Sequence, residues 1–73
     1  MSSRENDIKA LAIFNEARES HRFCCLSIYS DYDYCWEIKW VLADNGKHIQ
    51  RRTQCHDTLW EAIRDFQQLT KNE

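Results

Sequence analysis

The pair Asn45-Gly46 is the feature that most constrains what this chain can fold into. It contains the only glycine of a chain that has no proline. Residues 35–43 before it read as a half-buried strand, and a third strand follows it. Both central residues of a two-residue type I′ turn need a positive φ, which Asn tolerates and Gly adopts without strain. The pair therefore predicts an antiparallel hairpin closed by residues 44–47.

The hairpin also predicts which side chains share a face of the sheet. If Asp44 faces Lys47, the period of two along each strand brings one set of mainly apolar residues together. The predicted pairs are Leu42 with Ile49, Trp40 with Arg51, Ile38 with Thr53, and Trp36 with Cys55.

Residues 23–29 predict a further strand, because they are rich in apolar and aromatic side chains. Alignment of its apolar residues with the same face places Ile28 opposite Trp36 and Leu26 opposite Ile38. Residues 30–34 then form a loop. The other face carries Cys25, Ser27, Tyr29, Cys35, Glu37, Lys39, Val41, His48, Gln50, Arg52, Gln54 and His56.

Residues 5–18 predict the first helix, because they contain no Gly and are rich in residues that lose little freedom in a helix. Ser2 or Asn6 is placed to cap it. Its apolar side chains fill an arc wider than one contact with a sheet covers. The arc contains Ala10, Leu11, Ile13, Phe14 and Ala17, and Ile8 and Ala12 extend it.

The second helix is predicted to begin at residues 57–61 and to run to about Thr70. Thr58 and Glu61 have the spacing of a capping box. Its apolar stripe consists of Leu59, Ala62, Ile63, Phe66 and Leu69.

These elements predict a single α+β domain of 73 residues. The expected architecture is a two-layer sandwich in the order α-β-β-β-α, with a three-stranded antiparallel sheet and both helices on one face. A chain this short buries only roughly 60% of the surface that its unfolded form exposes, so its stability is expected to be a few kcal/mol. Self-association would add to that stability.

Composition and charge exclude several classes of protein. A hydrophobic content of 42% with 30% charged residues is typical of a globular chain. The net charge of -2 disfavours a surface devoted to nucleic acid or to anionic membrane. No apolar run approaches the roughly 20 residues of a membrane span, and the first residues lack the apolar stretch of a signal peptide. We therefore expect a cytoplasmic protein whose four cysteines are reduced thiols.

Candidate catalytic and metal-binding groups do not converge in the predicted sheet. Cys55, His56 and Asp57 are consecutive, and consecutive strand residues point to opposite faces, so they form no relay. Cys24 and Cys25 are adjacent, whereas zinc sites usually begin with two cysteines about two to four residues apart. We therefore predict no enzymatic activity, no metal and no cofactor, and a histidine-based enzyme is the least favoured hypothesis.

The predicted register also assigns the remaining cysteine environments. Cys55 is expected in the core, and Cys35 is expected beside His56 on the open face of the sheet. Cys24 and Cys35 lie on opposite faces, which disfavours a disulfide between them.

Two resemblances follow from these elements. The order helix, three strands, helix resembles the double-stranded-RNA-binding domain, but only in topology. That family has a lysine-rich start to its last helix. Residues 56–61 of this chain read His-Asp-Thr-Leu-Trp-Glu at the same place. Residues 57–63 are similar to the strand-to-helix junction of HicB-type antitoxins. The Gly and Pro punctuation of that family is missing before the junction and the first helix is extra, so neither resemblance assigns functional residues.

The leading hypothesis is a small non-enzymatic interaction or regulatory protein that binds an unknown protein partner or itself, as a homodimer. The apolar arc of the first helix and the one aromatic residue of the open face supply its expected contacts. These are Ile8, Ala12, Phe14 and Tyr29. Small chains of this kind often come from phages or other mobile elements, which is an expectation by association.

The alternative hypothesis is a nucleic-acid-binding accessory protein. Lys47, Arg51 and Arg52 give the last predicted strand a basic character, and β-ribbons with such side chains can lie in a DNA groove.

Overall fold

The predicted fold class is confirmed. The computed structural model describes residues 3–31 and 35–71. Its three strands form one antiparallel sheet in the order β1-β2-β3. The elements are α1 (Ser3–Glu19), β1 (Cys25–Asp31), β2 (Cys35–Asp44), β3 (Lys47–Arg52) and α2 (Leu59–Thr70).

The Asn45-Gly46 turn closes the β2–β3 hairpin as predicted. Asn45 has a φ of 50° and Gly46 a φ of 80°, and Asp44 pairs with Lys47. The predicted pairs of Trp40 with Arg51 and of Leu42 with Ile49 are both present. The turn therefore sets the register of the hairpin from its closed end.

Both helices pack on the same face of the sheet, around Ile38 and Trp40 of β2. The Trp40 ring meets the Phe66 ring of α2 edge-on at 5.0 Å between centroids. Trp36 and Leu42, the other two apolar residues of this face, are half-buried and pack against the core. The helices contribute Ala10 and Phe14 from α1, and Leu59, Ala62, Ile63 and Phe66 from α2.

The predicted alignment of β1 is wrong by two residues. Ile28 pairs with Ile38 and Leu26 with Trp40, where Trp36 and Ile38 were expected. A shift of two residues keeps every side chain on the same face, so the apolar pattern does not distinguish the two alignments. The strand also extends to Asp31, so the predicted loop of residues 30–34 begins later, and its positions 32–34 lie outside the described residues.

The predicted pair of Trp36 with Cys55 is also wrong, because an extra residue interrupts the end of the hairpin. Thr53 N donates to Ile38 O at 2.9 Å, and the next bonded pair is Trp36 with His56. Two residues, Gln54 and Cys55, therefore oppose one residue of β2, which is the arrangement of a β-bulge. The bulge turns Cys55 to the open face and His56 to the face that carries the helices.

The two helix starts differ in how well their sequence signals predict them. Thr58 is the N-cap of α2, and its Oγ1 accepts a hydrogen bond from Glu61 N at 3.1 Å, as predicted. In α1, Asn6 lies inside the helix and is not its cap. The other predicted cap, Ser2, lies outside the described residues.

We expect Thr53→Val to destabilise the protein. The Thr53 hydroxyl is buried, accepts from Ile38 N at 3.0 Å and donates to Gln54 O at 3.0 Å. Valine leaves the buried Ile38 N–H without its acceptor, which should lower the free energy of unfolding by about 1 to 3 kcal/mol in urea denaturation. Thr53→Ser keeps the hydroxyl and is the matched control. A Thr53→Val protein as stable as the Thr53→Ser protein would contradict this role of the hydroxyl.

Candidate interaction surfaces

The outer face of α1 carries an exposed apolar stripe. Ile8 is 60% exposed and Leu11 46%, and Ala12 beside them is exposed too. Their spacing of three and four residues places them next to one another on the helix surface. Ala10 and Phe14 point the other way, into the core. We call Ile8, Leu11 and Ala12 the α1 outer stripe.

The structure does not bring the four predicted contact residues together. Phe14 is only 7% exposed and packs in the core, so it belongs to the fold and not to an accessible surface. Tyr29 is 46% exposed but lies on the open face of the sheet, opposite Glu37. The sheet therefore separates Tyr29 from Ile8 and Ala12. Leu11, which the sequence interpretation placed in the apolar arc but not among the contact residues, joins the exposed group.

Tyr29 lies in a polar environment on the open face. Lys39 Nζ is 5.0 Å from the centre of the Tyr29 ring and 3.7 Å from Glu37 Oε1. The Glu37 side chain is mostly buried by its neighbours, whereas that of Lys39 is about one-third exposed. A cation placed between an aromatic ring and a carboxylate is typical of a polar sheet surface and not of an apolar docking site.

The three predicted basic residues are exposed along β3, but they do not share one face. Lys47 and Arg51 have the same parity along the strand, and Arg51 lies opposite Trp40. Arg52 lies opposite Lys39 and so belongs to the open face. They form a basic edge, not a basic face, because β3 is the last strand of the sheet order.

A polar cleft of about 800 Å³ lies between α2 and the segment after β3. Inside it, His56 Nε2 is 2.8 Å from Asp65 Oδ2, which also accepts from Gln54 N at 3.3 Å. The sequence interpretation missed this pair because it placed His56 on the open face. A carboxylate that orients an imidazole is part of a nucleophilic relay, yet none of the described residues that line the cleft carries a hydroxyl or a thiol. The lining residues are Arg52, Gln54, His56, Trp60, Glu61, Arg64, Asp65, Gln68 and Leu69.

Two of the four cysteines are joined, which corrects the expectation of reduced thiols for that pair. The bulge places Cys55 across from Cys35 on the open face, where a disulfide links them with 5.0 Å between their Cα atoms. Cys24 and Cys25 are free and exposed. The expected core position of Cys55 depended on a register without the bulge.

Thiol titration of the native protein should find two reactive thiols, and four after reduction. The linkage spans 20 residues, and its removal in Cys35→Ser should lower the free energy of unfolding by about 3 kcal/mol through the loss of a cross-link in the unfolded chain. Cys24→Ser, at an exposed thiol, is the matched control and should leave stability unchanged. Four thiols in the native, unreduced protein would rule the linkage out.

A second cleft, of about 440 Å³, lies between the C-terminal parts of the two helices and the segment that leads to β1. Its lining residues include Ala17 of α1, Phe66 of α2, and Phe23, which precedes β1. Arg22 closes one end, since its Nη2 donates to Thr70 O at 2.9 Å. The contact ties the end of α2 to the segment before β1.

Comparisons with protein-family models, with curated proteins and with solved structures found no match. Over residues 3–31 and 35–71, no helix is long and apolar enough to cross a membrane. The same residues contain no group of three or more His, Cys, Asp or Glu side chains arranged to hold a metal ion.

Proposed function

We propose that this protein is a small, non-enzymatic interaction module with a regulatory role, and that it binds other protein surfaces through the α1 outer stripe. The observation that carries the proposal is the exposure of Ile8 and Leu11 on a helix whose opposite face already fills the core. Full burial of a side chain of this size is worth about 1.5 to 3 kcal/mol. For a domain of this size, such a contact is a large addition to its stability.

The charges around the stripe describe the partner surface that fits it. The N-terminal end of α1 carries Arg4 and Glu5, and the C-terminal end carries Arg18 and Glu19. The last turn also contains Glu16, so both ends carry charges of both signs and the C-terminal end has a net charge of -1. An apolar surface bordered by charges of both signs, such as one face of an amphipathic helix, is complementary to it.

The contacts of the His56–Asp65 pair assign it a structural role, which supports a non-enzymatic protein. Cys55 is next in sequence to His56, but it faces the other side of the sheet and is bonded to Cys35. Asp65 accepts from both Gln54 and His56, so the pair ties the bulge to α2.

The variant Ile8→Asp/Leu11→Asp should abolish binding through α1 without unfolding the protein. Two buried carboxylates would oppose any apolar contact, while both positions are solvent-exposed in the isolated domain. Amine-specific cross-linking through Lys9, followed by mass spectrometry that identifies each cross-linked peptide, measures the contact. We expect cross-links from Lys9 to an identified protein or to another copy of the chain, and their loss in the variant.

Gln67→Asp/Gln68→Asp is the control, since it adds the same charge to exposed positions of α2. It should keep the Lys9 cross-links. Circular dichroism checks that both variants keep the fold. The proposal fails if the α1 variant keeps every cross-link and every association of the wild-type protein.

The second candidate is nucleic-acid binding along β3, and the exposure of Lys47, Arg51 and Arg52 on an edge strand favours it. The adjacent cleft adds Arg64, whose guanidinium lies 5.6 Å from the centre of the Trp60 ring. Guanidinium groups and an aromatic ring are typical of contacts with phosphates and bases.

Lys47→Gln/Arg52→Gln should weaken nucleic-acid binding and reduce its salt dependence. Each phosphate contact contributes about 0.9 to the slope of log affinity against log salt, so the slope should fall by about 2. Fluorescence polarisation with single- and double-stranded oligonucleotides, between about 50 and 200 mM salt, measures both quantities. Lys9→Gln/Arg18→Gln on α1 is the charge-matched control. No binding to any oligonucleotide at low salt would end this candidate.

A further inference from the structure

We propose that the edge of β1 is a strand-pairing site, and that its occupant is β1 of a second copy of this chain. Antiparallel pairing of the two strands would make one continuous six-stranded sheet and bring the two α1 outer stripes side by side. The proposal rests on the proposed function, because it names the partner of that surface.

The hydrogen bonds of β2 establish which backbone groups of β1 point outward. Ile38 donates to Thr53 Oγ1 and accepts from Thr53 N, so both of its backbone groups point to the β3 side. Trp36 likewise exchanges two bonds with His56. Residues of an antiparallel strand alternate between the two sides. Ile28, opposite Ile38, and Leu26, two residues before it, therefore direct their N–H and C=O groups to the outer edge.

The sequence of β1 lacks the features by which natural proteins protect an edge strand. Residues 25–30 contain no charge and no proline, and Asp31 at the end is the only charged residue of the strand. Protected edges carry Lys or Pro, or a bulge that interrupts pairing. β3 has such protection, with Lys47, Arg51 and Arg52 along it and the bulge directly after it. The two edges of the sheet are therefore unequal in charge, and that of β1 is the better suited to another strand.

Self-pairing of β1 brings no like charges together. With Ile28 on the two-fold axis, Ser27 lies opposite Tyr29 of the other copy, Leu26 opposite Ser30, and Cys25 opposite Asp31. The outward backbone groups at Ile28 then bond across the axis. Self-pairing of β3 with Ile49 on the axis would place Lys47 opposite Arg51 and repel.

The α1 outer stripe lies on the same side of the molecule as the β1 edge. One flank of α2 lines the polar cleft with Arg52 and His56, beside β3. Its other flank, with Phe66, lines the cleft shared with α1 and with Phe23, which precedes β1. In the helical layer, α1 is thus on the β1 side, and its outer stripe points away from α2.

A two-fold axis at Ile28 makes the two copies of α1 antiparallel, so the N-terminal end of each approaches the C-terminal end of the other. Arg4 and Glu5 then approach Glu16, Arg18 and Glu19, so each junction contains charges of both signs with a net charge of -1. One association event would therefore satisfy the open strand edge and cover Ile8, Leu11 and Ala12. Strand pairing fixes orientation through backbone bonds, while the stripe supplies apolar burial.

Sedimentation velocity from micromolar to millimolar concentration, with amide hydrogen exchange of the same samples, tests the proposal. We expect a dimer whose Leu26 and Ile28 amides exchange more slowly as the protein concentration rises. Ser27→Lys places a charge on β1, close to its copy across the axis, and should raise the dimer dissociation constant by at least about tenfold. Gln50→Lys adds the same charge at an exposed position of β3 and should leave the constant unchanged.

Each alternative result has a distinct meaning. A wild-type protein that is monomeric throughout overturns the inference, and the proposed function survives only if Lys9 cross-links to a different protein. A dimer in which the Leu26 and Ile28 amides stay unprotected overturns strand pairing in favour of contact through helices alone. Equal dissociation constants for Ser27→Lys and wild type would also overturn it. Circular dichroism of Ser27→Lys establishes that a loss of dimer is not a loss of fold.

Discussion

The burial of Trp40 is the interaction on which the rest of this structure depends. Its ring contacts Phe66 of α2 and Phe23 before β1, with centroids 5.0 and 6.4 Å away. Phe23 and Phe66 also contact each other, at 5.6 Å. Three segments that are distant in sequence therefore meet at one cluster of rings. Trp40 reaches that cluster only because the Asn45-Gly46 turn pairs it with Arg51 and so directs it to the side of the helices.

The bulge at Gln54 and Cys55 redirects most of the polar chemistry of the molecule. Without it, Cys55 would face the helices and His56 would face solvent. With it, Cys55 reaches Cys35, and His56 reaches Asp65 of α2. The same inserted residue places a covalent link on one face and a side-chain hydrogen bond on the other. Both hold the segment between β3 and α2, whose described residues bond to β2 through Thr53 and His56.

The parts of this fold that were predictable from sequence are those with a local physical cause. The turn follows from the φ requirement at Asn45 and Gly46, and the start of α2 follows from the Thr58 hydroxyl. The β1 alignment was not predictable, because a two-residue shift leaves the same side chains facing the core. Nor was the bulge, since no Gly or Pro marks it.

The exposed residues of the candidate interaction surface were likewise only partly predictable from the sequence. The apolar arc of α1 predicted that some residues would remain exposed, and Ile8 and Ala12 do. It did not say which border of the arc faces the core, and this depends on how α1 packs beside α2. Phe14 therefore proved to be a core residue, and Leu11 proved to be exposed.

Stability and interaction are linked in a domain of this size. Anything that binds the folded state and not the unfolded one raises the free energy of unfolding, by an amount that grows with the ratio of its concentration to its dissociation constant. The unprotected edge of β1 and the α1 outer stripe lie on one side of the molecule. The basic edge of β3, the bulge and the His56–Asp65 pair lie on the other side. The second side is stabilised within the chain by the disulfide and by the Asp65 contacts. On the first side, α1 buries Ala10 and Phe14 in the core and packs Ile13 and Ala17 against it, and a contact that covers its outer stripe would stabilise this helix further as it formed.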